Sequence, residues 1–346
     1  MSNKKQKRKN RKTNRQTLPM VSVCTPTYNR RPFIKSLISC FNNQDYPKEL
    51  VEWIIIDDGT DKIEDLVKDV KQVKYFSYEQ KMALGKKRNI MHEKSLGDII
   101  VYMDDDDYYP PDRISHAVQK LQSSPKALCA GSSEIYCYFK ELDKIYKFGP
   151  YGPSHATAGT FAFKRQLLTK TKFNDDACLA EEKEFLLNYT IPFVQLDSLK
   201  TILVFSHEQN TIDKKKLLNN QNNFISESSK KLSDFLTNTD TIQQYTEVIP
   251  EMLKTYEPGK PEMKQDVIRQ LNDMEKKRKE RVREQLKQTN AELTNITITQ
   301  QDGTQKQLTT MEVISILEEQ QAKIAELTEK LKNYENDKQN RNKYYY

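Results

Sequence analysis

The sequence predicts an α/β fold: a mostly parallel sheet with helices on both faces, followed by a C-terminal helical extension. Three observations lead there. Short apolar runs of strand character alternate with helical segments through the first hundred residues. Right-handed crossovers would bring the C-terminal ends of those strands, each a polar loop, to one edge of the sheet. Beyond about Lys214 the composition changes to polar helix formers.

Met20 to Thr25 reads as the first strand and ends in the loop Pro26-Thr27-Tyr28-Asn29. Phe33, Leu37, Ile38 and Phe41 stand at helical spacing in a helix over Pro32 to Asn43. Val51 to Ile56 is a second strand, ending in Asp57-Asp58-Gly59-Thr60. A helix over Ile63 to Val70 and a strand over Val73 to Ser77 follow, then a basic helix from Gly85 to Lys94. The fourth strand, Ile99 to Met103, runs into four consecutive carboxylates, Asp104 to Asp107, and is stopped by Pro110 and Pro111. Next comes a helix carrying Ile114, Val118 and Leu121. Ala127 to Phe139 and Ile145 to Phe148 read as strands, Gly149 to Gly159 as a loop, and Gly159 to Phe163 as a short strand. A helix is expected over Glu181 to Tyr189, and final strands over Phe193 to Leu196 and Thr201 to Phe205. Leu232 to Leu253 and Glu262 to Leu293 read as helices. Asp302-Gly303 marks a hairpin within 296–309. Val313, Leu317, Ile324, Leu327, Leu331 and Tyr334 form a short coiled-coil-like stripe suited to oligomerisation or docking. The expected domains are a disordered basic tail (1–17), an α/β domain (18–215), a helical extension (216–260) and a helical oligomerisation region (261–346).

The 346 residues carry a net charge of +7, but the first 16 hold eight Lys/Arg and no acid. The remainder has 48 basic against 49 acidic residues, so the basicity belongs to a tail. Without interleaved aromatics that tail reads as solubilising, and a nucleic acid partner is not expected. No apolar run of about 18 residues occurs, and no apolar signal segment follows the basic start. A cytoplasmic protein is therefore expected, its five cysteines reduced and forming no CxxC pair.

The convergent edge suggests its own chemistry. Four adjacent carboxylates repel by about 1 to 4 kcal/mol per close pair and call for a cation or a dense donor network. Oxygen ligands favour Mg²⁺ or Mn²⁺, and an added imidazole suits Mn²⁺. Asp57 can accept from a base N–H, Tyr28 can pack on the base, and Lys86, Lys87 and Arg88 can face a diphosphate. Together these pieces describe a nucleotide-diphosphate site.

VSVCTPTYNR, IIIDDGT, GKKRN, GDIIVYMDDDDYYPPDR, GTFAF, AEEKEFL and HEQNT, in this order, resemble the motif set of family 2 glycosyltransferases over about Pro19 to Lys215. The resemblance implies the GT-A fold, with a Rossmann-like sheet, and inverting sugar transfer from a nucleotide sugar, UDP-linked by family habit, usually with a divalent metal. Pro26 and Tyr28 would then line the base pocket, and Asp57 would accept from the base. Asp104 and Asp106 match the DxD motif, with Asp106 as metal ligand and Asp105 facing the ribose; the extra acid leaves the register open by one residue. Gly159 and Thr160 would sit under the sugar and acceptor. Glu181 and Glu182 match the Glu-Asp pair, Glu182 being the general base and Glu184 its rival. His207 would meet the metal or diphosphate, beside a closing loop at Asn210 and Thr211. Lys87 and Arg88 match only loosely. The sugar and the glycan, protein or lipid acceptor are not identified. Two alternatives stand beside this reading: a nucleotidyltransferase making a nucleotide sugar, and a degenerate, non-catalytic scaffold.

Overall fold

The computed structural model describes residues 17–179, 181–210, 214–218, 223–289, 296–299, 304–308, 312–313, 315–317, 319–320, 323–324, 326–328 and 330–331. The basic tail up to residue 16, Thr211, the Asp302-Gly303 turn and Tyr334 lie outside them. The chain divides into two compact units at the boundary between Leu271 and Asn272.

The first unit begins β1 (Val21–Thr27), α1 (Arg31–Asn42), β2 (Val51–Asp57), α2 (Glu64–Val67), β3 (Val73–Ser77), α3 (Leu84–Lys94), β4 (Ile99–Tyr102) and α4 (Arg113–Ser123). It continues β5 (Cys129–Gly131), β6 (Ile135–Phe139), β7 (Lys144–Phe148), β8 (Ala162–Lys164), α5 (Glu182–Phe185), β9 (Phe193–Gln195), β10 (Leu203–Ser206), α6 (Lys214–Leu218) and β11 (Ile225–Glu227). Short helices α7 (Thr239–Gln243) and α8 (Ile249–Leu253) precede α9 (Gln265–Thr289), which crosses the boundary.

Seven strands form the main sheet in the order β3-β2-β1-β4-β8-β5-β9. The first four pair in parallel, as does β9 with β5, while β8 runs antiparallel to both of its neighbours. The order reverses direction at β1, whose neighbours are β2 and β4, and such a switch point leaves a crevice beyond the strand ends. A smaller sheet runs β10-β6-β7-β11.

Period-two alternation explains why the main sheet is covered on both faces. Val21 and Val23, Trp53 and Ile55, and Ile99 and Val101 pack on one side with Ile34, Leu37 and Phe41 of α1 and Ile114 and Leu121 of α4. Cys24, Ile54, Ile56, Ile100 and Tyr102 pack on the other with Met91 of α3, Phe173 and Phe185. All five cysteines are free and buried. A third cluster joins Tyr138, Leu203 and Phe205 to Phe235, Leu236, Tyr245, Ile249 and Leu253, so residues of the 216–260 extension share the first unit's core.

Four expected elements differ. The strand expected over Ala127 to Phe139 is two strands in two different sheets. The Ser132 hydroxyl donates to the Glu134 carbonyl at 2.5 Å and the Ser133 N–H to Gln195 Oε1 at 2.9 Å, which bends the chain between them. The helix expected over Glu181 to Tyr189 stops at Phe185, and Leu187, Asn188 and Tyr189 take φ values of 49, 54 and 62°. The helix expected over Leu232 to Leu253 is broken into a 3₁₀ turn, α7, a π-helical turn at Gln244–Val248 and α8. Pro250, which lacks the N–H that an α-helix needs, sits where the π-helical turn gives way to α8. The helix expected over Ile63 to Val70 is reduced to the single turn α2.

In the second unit β12 (Ile296–Thr299) and β13 (Gln305–Leu308) pair antiparallel, as the hairpin signal requires. Leu317, Ile324, Leu327 and Leu331 are helical and more than half exposed. Among the described residues no helix is long and apolar enough to cross a membrane.

Trp53 is fully buried, stacks on Phe41 with centroids 4.4 Å apart, and donates its indole N–H to Thr25 Oγ1 at 2.9 Å. Trp53→Ala should lower unfolding free energy by about 3 to 5 kcal/mol, read from a denaturant midpoint. A loss under about 1 kcal/mol would contradict this packing.

Candidate functional site

The strand ends at the switch point surround a cleft of about 380 Å³. Its wall includes Pro26, Tyr28, Arg30, Lys87, Arg88, Asp104 to Asp107, Gly159, Thr160, Glu181, Glu182 and Lys264. The first loop follows β1 directly. Asn29 there has φ 53°, and its Oδ1 accepts from the Asp61 N–H at 3.0 Å, tying this loop to the loop after β2. Gly59 permits that approach, because a Cβ on it would lie 2.6 Å from the Asn29 nitrogen.

Asp57 does not line the cleft. It is fully buried, and its carboxylate accepts from Gly59 N–H at 2.8 Å, Ile63 N–H at 3.1 Å and the Tyr75 hydroxyl at 2.6 Å. Its lone pairs shape the turn instead of facing a ligand. Asp58 also works inside the protein, pairing with Lys87 at 2.8 Å and accepting from the Met82 N–H at 2.6 Å. That pair brings the Lys87 ammonium within 5.8 Å of the Tyr28 ring centroid. Lys86, one residue earlier on α3, is exposed and stands outside the cleft wall.

The four aspartates meet different neighbours. Asp105 and Asp106 each lie 3.5 Å from the Arg30 guanidinium. Burial, opposed by Arg30 and reinforced by Asp106, pushes Asp105 up to about 7. Burial also works against the charged form of Asp106, but His207 and Arg30 outweigh it and hold that carboxylate well below the usual range. Asp107 accepts from the Phe205 N–H at 3.3 Å, and burial raises it. Asp104 sits under Gly159, where a Cβ would come within 2.6 Å of its Oδ2, so only glycine lets the loop close over it. The Thr160 hydroxyl is committed to this loop, donating to the Thr157 carbonyl at 2.6 Å.

His207 reaches the cleft through Asp106 and Asn210. Its Nε2 stands 3.1 Å from Asp106 Oδ2 and 2.8 Å from Asn210 Nδ2, and its Nδ1 is buried without a partner. One ring nitrogen cannot donate to a carboxylate and accept from an amide at once. Two ligands of a divalent ion, each about 2.1 Å from it and at right angles, stand about 3 Å apart. The Asp106–His207 pair fits that spacing, and carboxylate plus imidazole is a donor set suited to Mn²⁺. Among the described residues no group of three or more His, Cys, Asp and Glu could hold an ion. Further ligands would come from water or substrate oxygens.

Glu181 and Glu182 differ in setting. Glu181 is buried and paired with Arg88 at 3.0 Å. Glu182, half-buried on the cleft wall at the start of α5, is pushed up to about 7 by burial and by the charge of Glu181. Glu184 is exposed and outside the wall. Arg88 lies 4.6 Å from the Tyr102 ring centroid, and its Nε and Nη1 are buried without partners. Sequence reasoning did not single out Arg30 or Lys264, both of which line the cleft. For Arg30 the available signal was its position directly after the first loop; for Lys264 there was none.

Residues 22–186 match the family described as Glycosyl transferase family 2. This segment is a family 2 glycosyltransferase domain. The chain is 34% identical over 103 residues to an uncharacterised glycosyltransferase of Haemophilus influenzae, covering 28% of this chain and 40% of that protein. It is 33% identical over 111 residues to the GalNAc(5)-diNAcBac-PP-undecaprenol beta-1,3-glucosyltransferase of Campylobacter jejuni, covering 30% of this chain and 35% of that one. It therefore spans less than half the length of either relative. The mannosyltransferase PcManGT of Pyrobaculum calidifontis, solved in complex with GDP-Man and Mn²⁺, aligns with a TM-score of 0.46 at 16% identity, over 70% of this chain and 74% of that one. β1 from its second residue, β2 to β8 and all four aspartates fall within residues 22–186, whereas β9 and the part of the cleft wall that includes Lys264 lie beyond them.

Inside that domain Arg88 supports the paired glutamates. Arg88→Met would leave Glu181 buried and unpaired, and should destabilise the protein by about 3 to 5 kcal/mol in chemical denaturation. Unchanged stability would contradict the pairing.

Proposed function

We propose that this protein is an inverting glycosyltransferase that moves a sugar from a nucleotide-diphosphate sugar to an acceptor hydroxyl. The observation that carries the reading is one cleft joining Asp106, Arg30 and Lys87 to Glu182. A cationic and acidic wall of this kind suits a diphosphate leaving group, and a carboxylate raised to about 7 suits a general base at neutral pH.

The acceptor oxygen attacks the anomeric carbon as the bond from that carbon to the diphosphate oxygen breaks. Glu182 takes the acceptor proton, and the bond's electron pair leaves with the diphosphate. Attack from the face opposite the leaving group inverts the centre, through an oxocarbenium-like state. Arg30 and Lys87 offset the negative charge that builds on the diphosphate. Asp106 and His207 would hold a divalent cation, which when bound adds to that charge stabilisation. Tyr28 and Pro26 form the wall against which a base would pack. A UDP-sugar is the donor to test first, with GDP-sugars beside it. The acceptor is a hydroxyl of a glycan, protein or lipid-linked sugar.

The test is release of nucleoside diphosphate from a panel of UDP- and GDP-sugars, with Mn²⁺ or chelator and a mixture of acceptors. One donor should give metal-dependent release. Glu182→Gln should cut kcat by about 10² to 10⁴ while retaining nucleotide affinity. Glu182 acts deprotonated and is raised to about 7, so activity should be full above that value and fall about tenfold per pH unit below it. Binding of nucleotide without turnover for every donor and acceptor would favour a scaffold. A rate unaffected by Glu182→Gln would remove it as base.

A further inference from the structure

Two buried cations meet at a single backbone oxygen. Arg30 Nη2 donates to the Gln209 carbonyl at 2.9 Å, and Lys264 Nζ donates to the same oxygen at 3.3 Å. Arg30 is 5% exposed and Lys264 6%, and both line the cleft. Arg30 has Asp105 and Asp106 nearby, but its Nη1 is buried with no partner. Among the described residues Lys264 forms no ion pair, and the Gln209 carbonyl is its one hydrogen-bond acceptor. A buried ammonium has three donors and strongly disfavours standing alone beside another cation. Burial and the charge of Arg30 push Lys264 down to about 7 against the opposing pull of Asp106 and Asp105, and a further anion in the cleft would raise it.

The segment around Lys264 is held in place independently. The Met263 carbonyl accepts from the Tyr28 hydroxyl at 3.3 Å, the Pro258 carbonyl from Asn29 Nδ2 at 2.9 Å, and the Tyr256 carbonyl from Gln209 Nε2 at 2.6 Å. A strap over residues 256–264 thus rests on the first loop and delivers its lysine to the cleft.

We propose that Lys264, reaching in from outside the family 2 domain, joins Arg30 in a phosphate subsite that grips the donor diphosphate. The ligand class is a phosphate oxygen pair, and the inference rests on the nucleotide-diphosphate reading above. It assigns residues beyond position 186 a direct part in donor affinity.

Titration calorimetry with Mn²⁺ would compare UDP, GDP, their nucleosides and inorganic pyrophosphate on the full chain. Lys264→Met should weaken the preferred nucleoside diphosphate and pyrophosphate at least tenfold and leave the nucleoside within twofold. Lys264→Arg should restore affinity to within about threefold. Thermal unfolding would check each variant, and Lys264→Gln would replace Lys264→Met if that protein does not fold. Unchanged diphosphate affinity, or equal losses for nucleoside and diphosphate, would overturn the subsite. A wild-type chain that binds no nucleoside diphosphate would overturn the donor reading itself.

Discussion

Four consecutive carboxylates leave bulk water together at the end of β4. An isolated buried charge is costly, and neighbouring charges of one sign add to the cost. The structure answers each acid separately. Arg30 faces Asp105 and Asp106, a β10 N–H faces Asp107, and glycine lets a loop close onto Asp104. Three of the four, Asp104, Asp105 and Asp107, rise under burial and repulsion while Asp106 is held charged, so the cluster is divided into groups of unlike proton affinity. That division leaves Asp106 as the carboxylate of the four held most firmly in its charged form.

The same constraint reaches the C-terminal half of the first unit. The Tyr245 hydroxyl donates to the Asp107 carbonyl at 2.9 Å, and Tyr108 and Leu203 exchange backbone hydrogen bonds. The acidic turn is therefore pinned between the main sheet, the smaller sheet and the helical extension. Residues after 186 hold this turn in place, and a shift in their packing would be felt at the carboxylates. A family 2 domain cut at its family boundary would lose His207, Gln209 and the strap.

Much of this was legible in the sequence. β1, β2 and β4 stand out because both of their faces are buried, which makes them unbroken apolar runs ended by polar loops. Tyr28 and Asp104 to Asp107 were readable because strand ends at a switch point converge, whereas Gly159 and Glu182 were suggested only by the family resemblance. Asp57 misled, since a carboxylate before Asp-Gly serves a ligand or its own turn equally well, and here Tyr75 and two N–H groups engage it. The bend at Ser132 to Glu134 was hidden inside an apolar stretch. Helix expectations failed where local bonds or a proline intervened, at Leu187 to Tyr189 and before Pro250. Lys264 sits in a strongly charged segment, and its burial depends on Gln209, 55 positions away. No local pattern carries that information.

The acidic edge and its cations are proposed to form a metal–diphosphate site. The most direct measurement is a crystal structure with the preferred nucleoside diphosphate and Mn²⁺, located by its anomalous signal. The account predicts a manganese peak bonded to Asp106 and His207, with the diphosphate between that ion and the Arg30–Lys264 pair. Manganese bound elsewhere, or a nucleotide seated away from β1 and β4, would contradict it.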